Sequence, residues 1–297
     1  MSVDSVPVES AAALSAGQGA PDLRREFLRS LIRQKTFMLG AFILAFWIFC
    51  AIFGQSVTPH NPFTQDLLDI NKSPSGSHWF GTDQLGRDMF ARVIAGSRDI
   101  MITAPLATLL GTIIGTAIGL VMGYFGGAID DVISRFVEAF LALPLVVVGI
   151  LGVVALGASN ATLIIVIGIV FAPLIARTVR AAVLQERGLD YVQAARLRGE
   201  SSLYIMFVEI LPNVMAPIVV EFTVRLGYAV FTLVTLSFLG FGIPPPSSAW
   251  GLDISNNFGN VPAGYWWEVL FDVVAIATLV IGINMLANSI ESALEDQ

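Results

Sequence analysis

This sequence is poor in charge and contains only 2 histidines and 1 cysteine. Charged residues make up 13% of its 297 residues, and the formal net charge is −7. An acidic chain argues against nucleic acid as a partner, because phosphate backbones attract basic surfaces. The single cysteine, Cys50, excludes a disulfide framework within the chain.

Motifs of ATP-binding and hydrolytic enzymes are also missing. The only lysines, Lys35 and Lys72, do not follow a glycine, so the sequence contains no P-loop. His60 and His78 fall in one loop without paired cysteines, and this spacing predicts no metal site. The lack of GxSxG and HExxH sequences weakens the case for an intramembrane hydrolase. We therefore predict no catalytic residues and no cofactor bound by this chain.

Apolar residues, by contrast, are abundant. They make up 55% of the chain and raise the mean hydropathy to +0.76, which is typical of membrane proteins. A helix needs about 20 apolar residues to cross a bilayer. Six runs approach this length, at about 36–53, 100–124, 132–156, 161–176, 211–241 and 266–290. The sequence therefore predicts an all-α membrane protein with six transmembrane helices.

Lysine and arginine are distributed unevenly around these runs. Eleven of the 16 lie in the N-terminal tail and the loops on its side, and four lie in the loop 54–99. By the positive-inside rule, both termini are cytoplasmic and the loop 54–99 is external. We predict a cytoplasmic tail with a basic amphipathic segment (1–35), a first helix with its external loop (36–99), a five-helix core (100–290) with a cytoplasmic loop at 177–210, and a cytoplasmic C-terminal tail (291–297).

The polar stretch 190–213 separates two of the apolar runs. Helix-forming residues precede Gly199, which permits a chain reversal without a Cβ penalty. A second helical run, 203–210, ends against Pro212. We predict a short helix, a turn and a second helix lying on a membrane face. On periodicity alone, an ordinary loop between two transmembrane helices explains the stretch at least as well.

The residue types in this stretch form a pattern. Its members are Gln193, Ala194, Ala195, Gly199, Leu211 and Pro212. The pattern resembles the EAA loop of binding-protein-dependent ABC transporter permeases. Gln193 stands in place of that loop's glutamate, and Glu209 stands in place of a hydrophobic residue. The resemblance implies a coupling helix that docks in a groove of a separate ATPase subunit.

The external loop 54–99 carries two carboxylate–arginine pairs. Asp83 precedes Arg87 and Asp88 precedes Arg92, each by four residues, which is the favourable order on a helix. Thr82 is a suitable N-cap for such a helix. We therefore predict a surface helix packed over the extracytoplasmic mouth.

The same loop also contains a longer motif. After His78 it places Gly81, Thr82, Asp83, Gly86, Arg87 and Asp88, followed by Gly96 and Arg98. This motif resembles the signature of the C-type permease subunit of dipeptide, oligopeptide and nickel importers. The stretch 236–251, with three successive prolines, also resembles the family's connection between the last two spans.

Two features inside the apolar runs predict packing and pairing. Glycines recur at four-residue spacing in the second run and favour close approach of another helix; they are Gly111, Gly115, Gly119 and Gly123. Glu221 and Arg225 in the fifth run share a helix face. We predict that they neutralise each other or contact a partner subunit, and direct substrate contact in the translocation pathway is the alternative.

Together these resemblances imply a permease with the type I ABC importer fold, in a bacterial plasma membrane, that imports di- or oligopeptides. They imply a homologous permease as heterodimer partner, two ATP-binding subunits or domains that hold ATP and Mg²⁺, an extracytoplasmic substrate-binding protein and membrane lipids. A nickel or other small-solute importer of the same family is the alternative. An ion-gradient-driven transporter is a less favoured alternative, because the internal repeat typical of such folds is not visible in the sequence. A structural membrane scaffold is the third alternative.

Overall fold

The computed structural model describes residues 31–295, whose regular secondary structure is helical apart from one isolated bridge between Thr82 and Asp88. Its helices are α1 (Lys35–Val57), α2 (Met89–Phe125), α3 (Gly127–Leu141), α4 (Leu145–Leu156), α5 (Asn160–Glu186), α6 (Asp190–Leu197), α7 (Ser202–Asn213), α8 (Met215–Phe238), α9 (Trp250–Asn257) and α10 (Trp267–Glu295). The predicted all-α class is confirmed. The predictions for the N-terminal tail up to residue 30 and for the last two residues lie outside the described range.

Five of these helices are long and apolar enough to cross a membrane, namely α1, α2, α5, α8 and α10. The predicted span at 132–156 is present as a bent pair, because α3 and α4 meet there at an angle of 89°. Pro144 is the N-cap of α4, so it supplies no amide hydrogen to continue α3. Proline also disfavours a helical conformation in the residue before it, Leu143. The chain has six spans if the bent pair is counted as one.

The predicted surface helix at Thr82–Arg92 is wrong. The second helix begins at Met89, because the Asp88 side chain caps it by accepting a hydrogen bond from the amide of Ala91 at 2.8 Å. The resulting α2 has 37 residues and a length of about 55 Å, well beyond the ~30 Å hydrocarbon core. Part of α2 therefore extends past the apolar layer.

Two other predicted boundaries move. The fourth span continues from its predicted end at residue 176 to Glu186. The fifth begins at Met215 instead of Leu211, because the helix breaks at Val214 and residues 211–213 close α7. The sequence pattern showed no polar break at Val214, and the residue itself is buried.

The glycine ridge of α2 packs directly against α5, as predicted. A Cβ on Gly111 would lie 2.9 Å from the carbonyl oxygen of Gly168, and one on Gly115 would lie 2.6 Å from that of Ala172. Gly119 and Gly123 face later residues of α5 in the same way. Later glycines of α2 face later residues of α5, so the two helices run parallel. Their backbones approach so closely that the α2 residues at the contact must be glycines.

The first and last helices pack antiparallel. The hydroxyls of Thr36 and Ser289 lie 3.1 Å apart, and the Trp47 indole donates to Thr278 at 3.3 Å. The start of α1 and the end of α10 therefore lie at the same end of the bundle. The α6–α7 hairpin also lies there, and we call this end the hairpin end. The loop 58–88 and helix α9 lie at the opposite end, which we call the loop end.

Candidate functional site

Helices α6 and α7 form the hairpin predicted at 190–213. Helix α6 ends at Leu197, and Gly199 then adopts φ of +76°. The amide of Glu200 reaches back to the carbonyl of Ala195 at 3.2 Å, which closes the helix end. A left-handed backbone is costly for residues with a Cβ, so the glycine suits this turn.

The residues predicted to couple to an ATPase differ in exposure. Ala195 is buried and Leu211 is half-buried, whereas Gln193, Ala194, Gly199 and Pro212 are exposed. The Gln193 amide donates to the Arg187 carbonyl at 3.3 Å, and both residues line a polar cleft of about 560 Å³ at the end of α2. The structure thus presents most of the predicted residues on one exposed hairpin, and their role in coupling remains a prediction.

Polar contacts between its helices hold the hairpin closed. Arg198 and Glu209 form an ion pair across the turn, with Nη2 and Oε1 2.9 Å apart. The Tyr191 hydroxyl accepts from the Asn213 amide of α7 at 3.3 Å and donates to Glu186 of α5 at 2.6 Å. Burial and this carboxylate raise the pKa of Tyr191 to about 12, so the hydroxyl stays protonated. Glu209, which departs from the family pattern, therefore has a partner that sequence reasoning missed.

The hairpin also exposes large apolar side chains. Leu197 is 89% exposed, Leu203 is 65% exposed and Phe207 is 50% exposed. These three residues flank the Gly199 turn, and we call them the hairpin patch. Apolar side chains exposed on a polar segment are typical of surfaces that contact another protein or a membrane. The sequence analysis did not single them out, although their positions around the turn were visible.

Glu221 and Arg225 are in contact on α8. Arg225 places Nε and Nη2 each 2.6 Å from Oε1 of Glu221. Thr178 of α5 donates to the other carboxylate oxygen at 3.4 Å, and the Arg225 guanidinium lies over the Tyr228 ring. The pair is thus largely buried and tied to α5. Its place in a translocation pathway or a subunit interface remains a prediction.

The predicted signature residues build a compact turn at the loop end. Gly81 and Gly86 adopt φ of +76° and +71°. Asp83 is buried and accepts from the Arg87 amide at 2.9 Å and from its guanidinium at 2.6 Å. The indole of Trp267 on α10 donates to the Thr82 carbonyl at 3.1 Å. The Asp83–Arg87 pair exists as predicted, but it closes a turn and not a helix.

The predicted Asp88–Arg92 ion pair is replaced by a longer-range one. Arg92 is fully buried and binds Asp253 of α9 through two nitrogens, one of them Nε at 3.0 Å. Its remaining donors reach the carbonyls of Pro62 and Ser247 at 3.0 and 2.8 Å. A single guanidinium therefore connects α2, α9 and the segment after α1. Sequence spacing could not identify Asp253, because it lies 161 residues away.

One buried carboxylate at the same end has no hydrogen-bond partner. Asp272 of α10 is fully buried, and neither of its oxygens has a partner within residues 31–295. Burial of an unpaired carboxylate is unfavourable unless it is neutralised or hydrated. Asp272 is the sixth residue of α10, and only packing reveals its burial.

The two histidines of the chain meet in the loop 58–88. The His78 ring places Nδ1 2.8 Å from Asp88 and Nε2 3.0 Å from Asp69, and the His60 ring stacks on it with 4.8 Å between centroids. Burial alone would lower the pKa of His78, but the two carboxylates raise it above its ordinary value. Spacing in the sequence indicated no such group. We call these four residues the histidine cluster.

Comparison with known proteins assigns most of the chain. Residues 115–296 match the family model described as binding-protein-dependent transport system inner membrane component. Residues 23–74 match the model described as the N-terminal TM domain of oligopeptide transport permease C. The two matches together leave out residues 75–114, which include the end of the loop 58–88 and the first part of α2.

Individual relatives match over nearly the full length. The chain is 36% identical over 267 residues to the dipeptide transport system permease protein DppC of Bacillus subtilis (strain 168), covering 90% of this chain and 83% of the relative. It is 38% identical over 275 residues to the glutathione transport system permease protein GsiD of Salmonella paratyphi A, covering 91% and 89%. The di/tripeptide transport system permease protein DppC of Pseudomonas aeruginosa is 33% identical over 281 residues, covering 93% and 92%.

A solved structure shares the fold. A chain of the MetNI methionine ABC transporter, in inward-facing conformations, superposes with a TM-score of 0.56 at 19% identity. The match covers 68% of this chain and 96% of that one. At this identity the likeness is one of fold alone, and it supports the predicted importer permease architecture.

Proposed function

Because this chain belongs to the family of binding-protein-dependent transport system inner membrane components, we propose that it forms half of the translocation pathway of an ATP-driven importer for short peptides. Family membership makes it a permease subunit and not an enzyme, as predicted. The five to six candidate spans agree with a multi-pass membrane protein.

Short peptides are the favoured cargo. The relatives described above are named for transport of dipeptides, di/tripeptides and glutathione. Their identities of 33–38% extend over at least 90% of this chain, so the resemblance includes the spans that would enclose the cargo. Nickel or another small solute remains the competing cargo.

The observation that carries the mechanism is the hairpin patch. Leu197, Leu203 and Phe207 are exposed on a hairpin that is otherwise closed by its own ion pair and hydrogen bonds. A rigid element with an apolar tip is suited to insert into a groove on another protein. In our proposal that groove belongs to an ATPase subunit, whose nucleotide-driven closure moves the hairpin and rocks the spans between inward- and outward-facing states.

An importer of this kind needs several partner proteins and a defined orientation of this chain in the membrane. A homologous permease completes the pathway, two ATPase subunits or domains bind ATP and Mg²⁺ at the hairpin end, and a substrate-binding protein docks at the loop end. The hairpin end is then cytoplasmic, which agrees with the positive-inside distribution. This chain itself would bind no cofactor for transport.

The test is uptake by the reconstituted complex. A tag on this chain would recover the complex from mild detergent, and lipid vesicles containing it would be given a labelled dipeptide with its binding protein. We expect uptake to continue after ionophores collapse the ion gradients and to stop when ATP is removed. Uptake that followed the ion gradient, or that accepted Ni²⁺ and refused peptides, would contradict the proposal.

A further inference from the structure

The histidine cluster has the composition of a cation site. One ring nitrogen of His60, one of His78 and one carboxylate oxygen of Asp88 all lie within 4.8 Å of one another. Two imidazoles and a carboxylate suit zinc and the neighbouring divalent transition metals. The site lies at the loop end, on the opposite side of the bundle from the hairpin.

We propose that His60, His78 and Asp88 bind one divalent transition-metal cation of the zinc class. The inference goes beyond the proposed transport function and does not depend on it. The cation would be a structural or regulatory ligand of the loop 58–88.

The two donor distances to Asp88 lie on either side of the spacing expected for a tetrahedral cation. Ligand bonds of about 2.0–2.1 Å at a tetrahedral angle place donor atoms roughly 3.3 Å apart. Nδ1 of His60 lies 3.4 Å from Oδ2 of Asp88, and Nδ1 of His78 lies 2.8 Å from the same oxygen. A small outward shift of the His78 ring would therefore open the required space, and the proton on that ring would be displaced.

The surrounding contacts orient these ligands. Asp88 uses Oδ1 to cap α2 and leaves Oδ2 for the two rings, so cation binding preserves the cap. Nε2 of His78 faces Asp69, and a carboxylate on the distal nitrogen is the usual support for a metal-binding histidine. Lys72 pairs with Asp69 and offsets its charge, which leaves Asp88 as the anionic ligand.

The histidine cluster is open to solvent on one side, so a cation can reach it from solvent and keep one coordination position for water. The His60 side chain is 41% exposed, whereas those of His78 and Asp88 are 11% and 3% exposed. A cation can thus enter from solvent beside His60 and keep one water ligand. Once bound, it would join the segment that follows α1 to the N-terminus of α2.

Calorimetric titration of Zn²⁺ into the purified full chain, with its affinity tag removed, tests the proposal. We expect one Zn²⁺ per chain, and a Co²⁺ form with the visible absorption of a four-coordinate ion. His60→Ala and Asp88→Asn should each weaken binding by roughly tenfold or more. The first change removes an exposed side chain, and asparagine at residue 88 can still cap the helix, so both variants should fold.

The matched control is Gln84→Ala, which alters another exposed side chain of the same loop and should leave Zn²⁺ affinity unchanged. The chain contains no further histidine, so imidazole coordination elsewhere in it is excluded. Absence of saturable binding by the unmodified chain would overturn the proposal. Wild-type affinity in either His60→Ala or Asp88→Asn would also overturn it.

Discussion

At the scale of single residues, the strongest constraint at the loop end is the Arg92–Asp253 pair. Both side chains are fully buried, and the guanidinium binds Asp253 through two nitrogens while it also donates to the carbonyls of Pro62 and Ser247. A buried pair adds little net stability over a well-packed apolar pair, but an orphaned charge is very unfavourable. The pair therefore acts mainly by specifying how α2 and α9 meet.

We predict that Asp253→Asn lowers the free energy of unfolding by about 3–5 kcal/mol, because it leaves the Arg92 charge buried without a counter-ion. The double change Arg92→Met with Asp253→Asn should be less harmful than the sum of the two single changes. Detergent-induced unfolding followed by tryptophan fluorescence measures both effects. Additive losses would show that the two side chains are not energetically coupled.

A second residue-scale prediction concerns the largely buried pair on α8. Glu221→Gln leaves Arg225 without its counter-ion, so it should reduce complex yield or uptake more than Glu221→Gln combined with Arg225→Gln. The measurement is peptide uptake normalised to the amount of assembled complex. If the double variant were the worse of the two, the pair would have a role beyond mutual neutralisation, such as contact with cargo.

At the scale of elements, the α6–α7 hairpin combines a glycine turn with polar anchors. Gly199 sets the reversal through its positive φ, the Arg198–Glu209 ion pair joins the two arms, and Tyr191 anchors α6 to Glu186 of α5. A hairpin that is rigid in itself can transmit a displacement between two bodies. A flexible loop of the same length would absorb it.

We predict that Gly199→Val strains this turn by about 1–2 kcal/mol or more and displaces α7 without unfolding the spans. The permease should still insert and pair with its sister subunit, whereas ATPase retention and substrate-stimulated hydrolysis should fall. Gly76→Val is the matched control, because Gly76 also has open space around it but no positive φ. Wild-type retention and stimulation in Gly199→Val would make residues 190–213 a mere connection.

At the scale of the whole molecule, the two ends of the bundle are held together by different contacts. The loop end is consolidated by the buried Arg92–Asp253 pair and by the histidine cluster, and the hairpin end by a glycine turn and the Arg198–Glu209 pair. The parallel α2–α5 pair extends from the vicinity of one end to the other. This arrangement suits a subunit that receives cargo on one side and mechanical force on the other.

We predict that Leu197→Glu weakens ATPase binding, because a carboxylate cannot be buried in an apolar groove without a large desolvation cost. The matched control is Leu68→Glu at the loop end, since Leu68 is 86% exposed and Leu197 is 89% exposed. Both variants should fold and insert alike. Co-purification of the ATPase subunits distinguishes them, and equal retention in the two would contradict a docking role for the hairpin patch.

Local features of the chain were sufficient to predict the membrane class, most of the spans, the glycine ridge and the helical hairpin around Gly199. Each depends on short stretches of sequence, because apolar length, small-residue spacing and glycine φ preference are properties of neighbouring residues. The bend before α4 also had a local cause in Pro144, which the hydropathy of the run concealed.

The partners of the charged residues could not be read in this way. Asp88 lies four residues before Arg92 and was a plausible partner, yet it caps α2 and leaves Arg92 to Asp253. The histidine cluster likewise forms only because the loop 58–88 folds back over the start of α2. Tertiary packing decides such contacts, since burial removes water as a competing partner and each charge must then pair with the group that the fold places beside it.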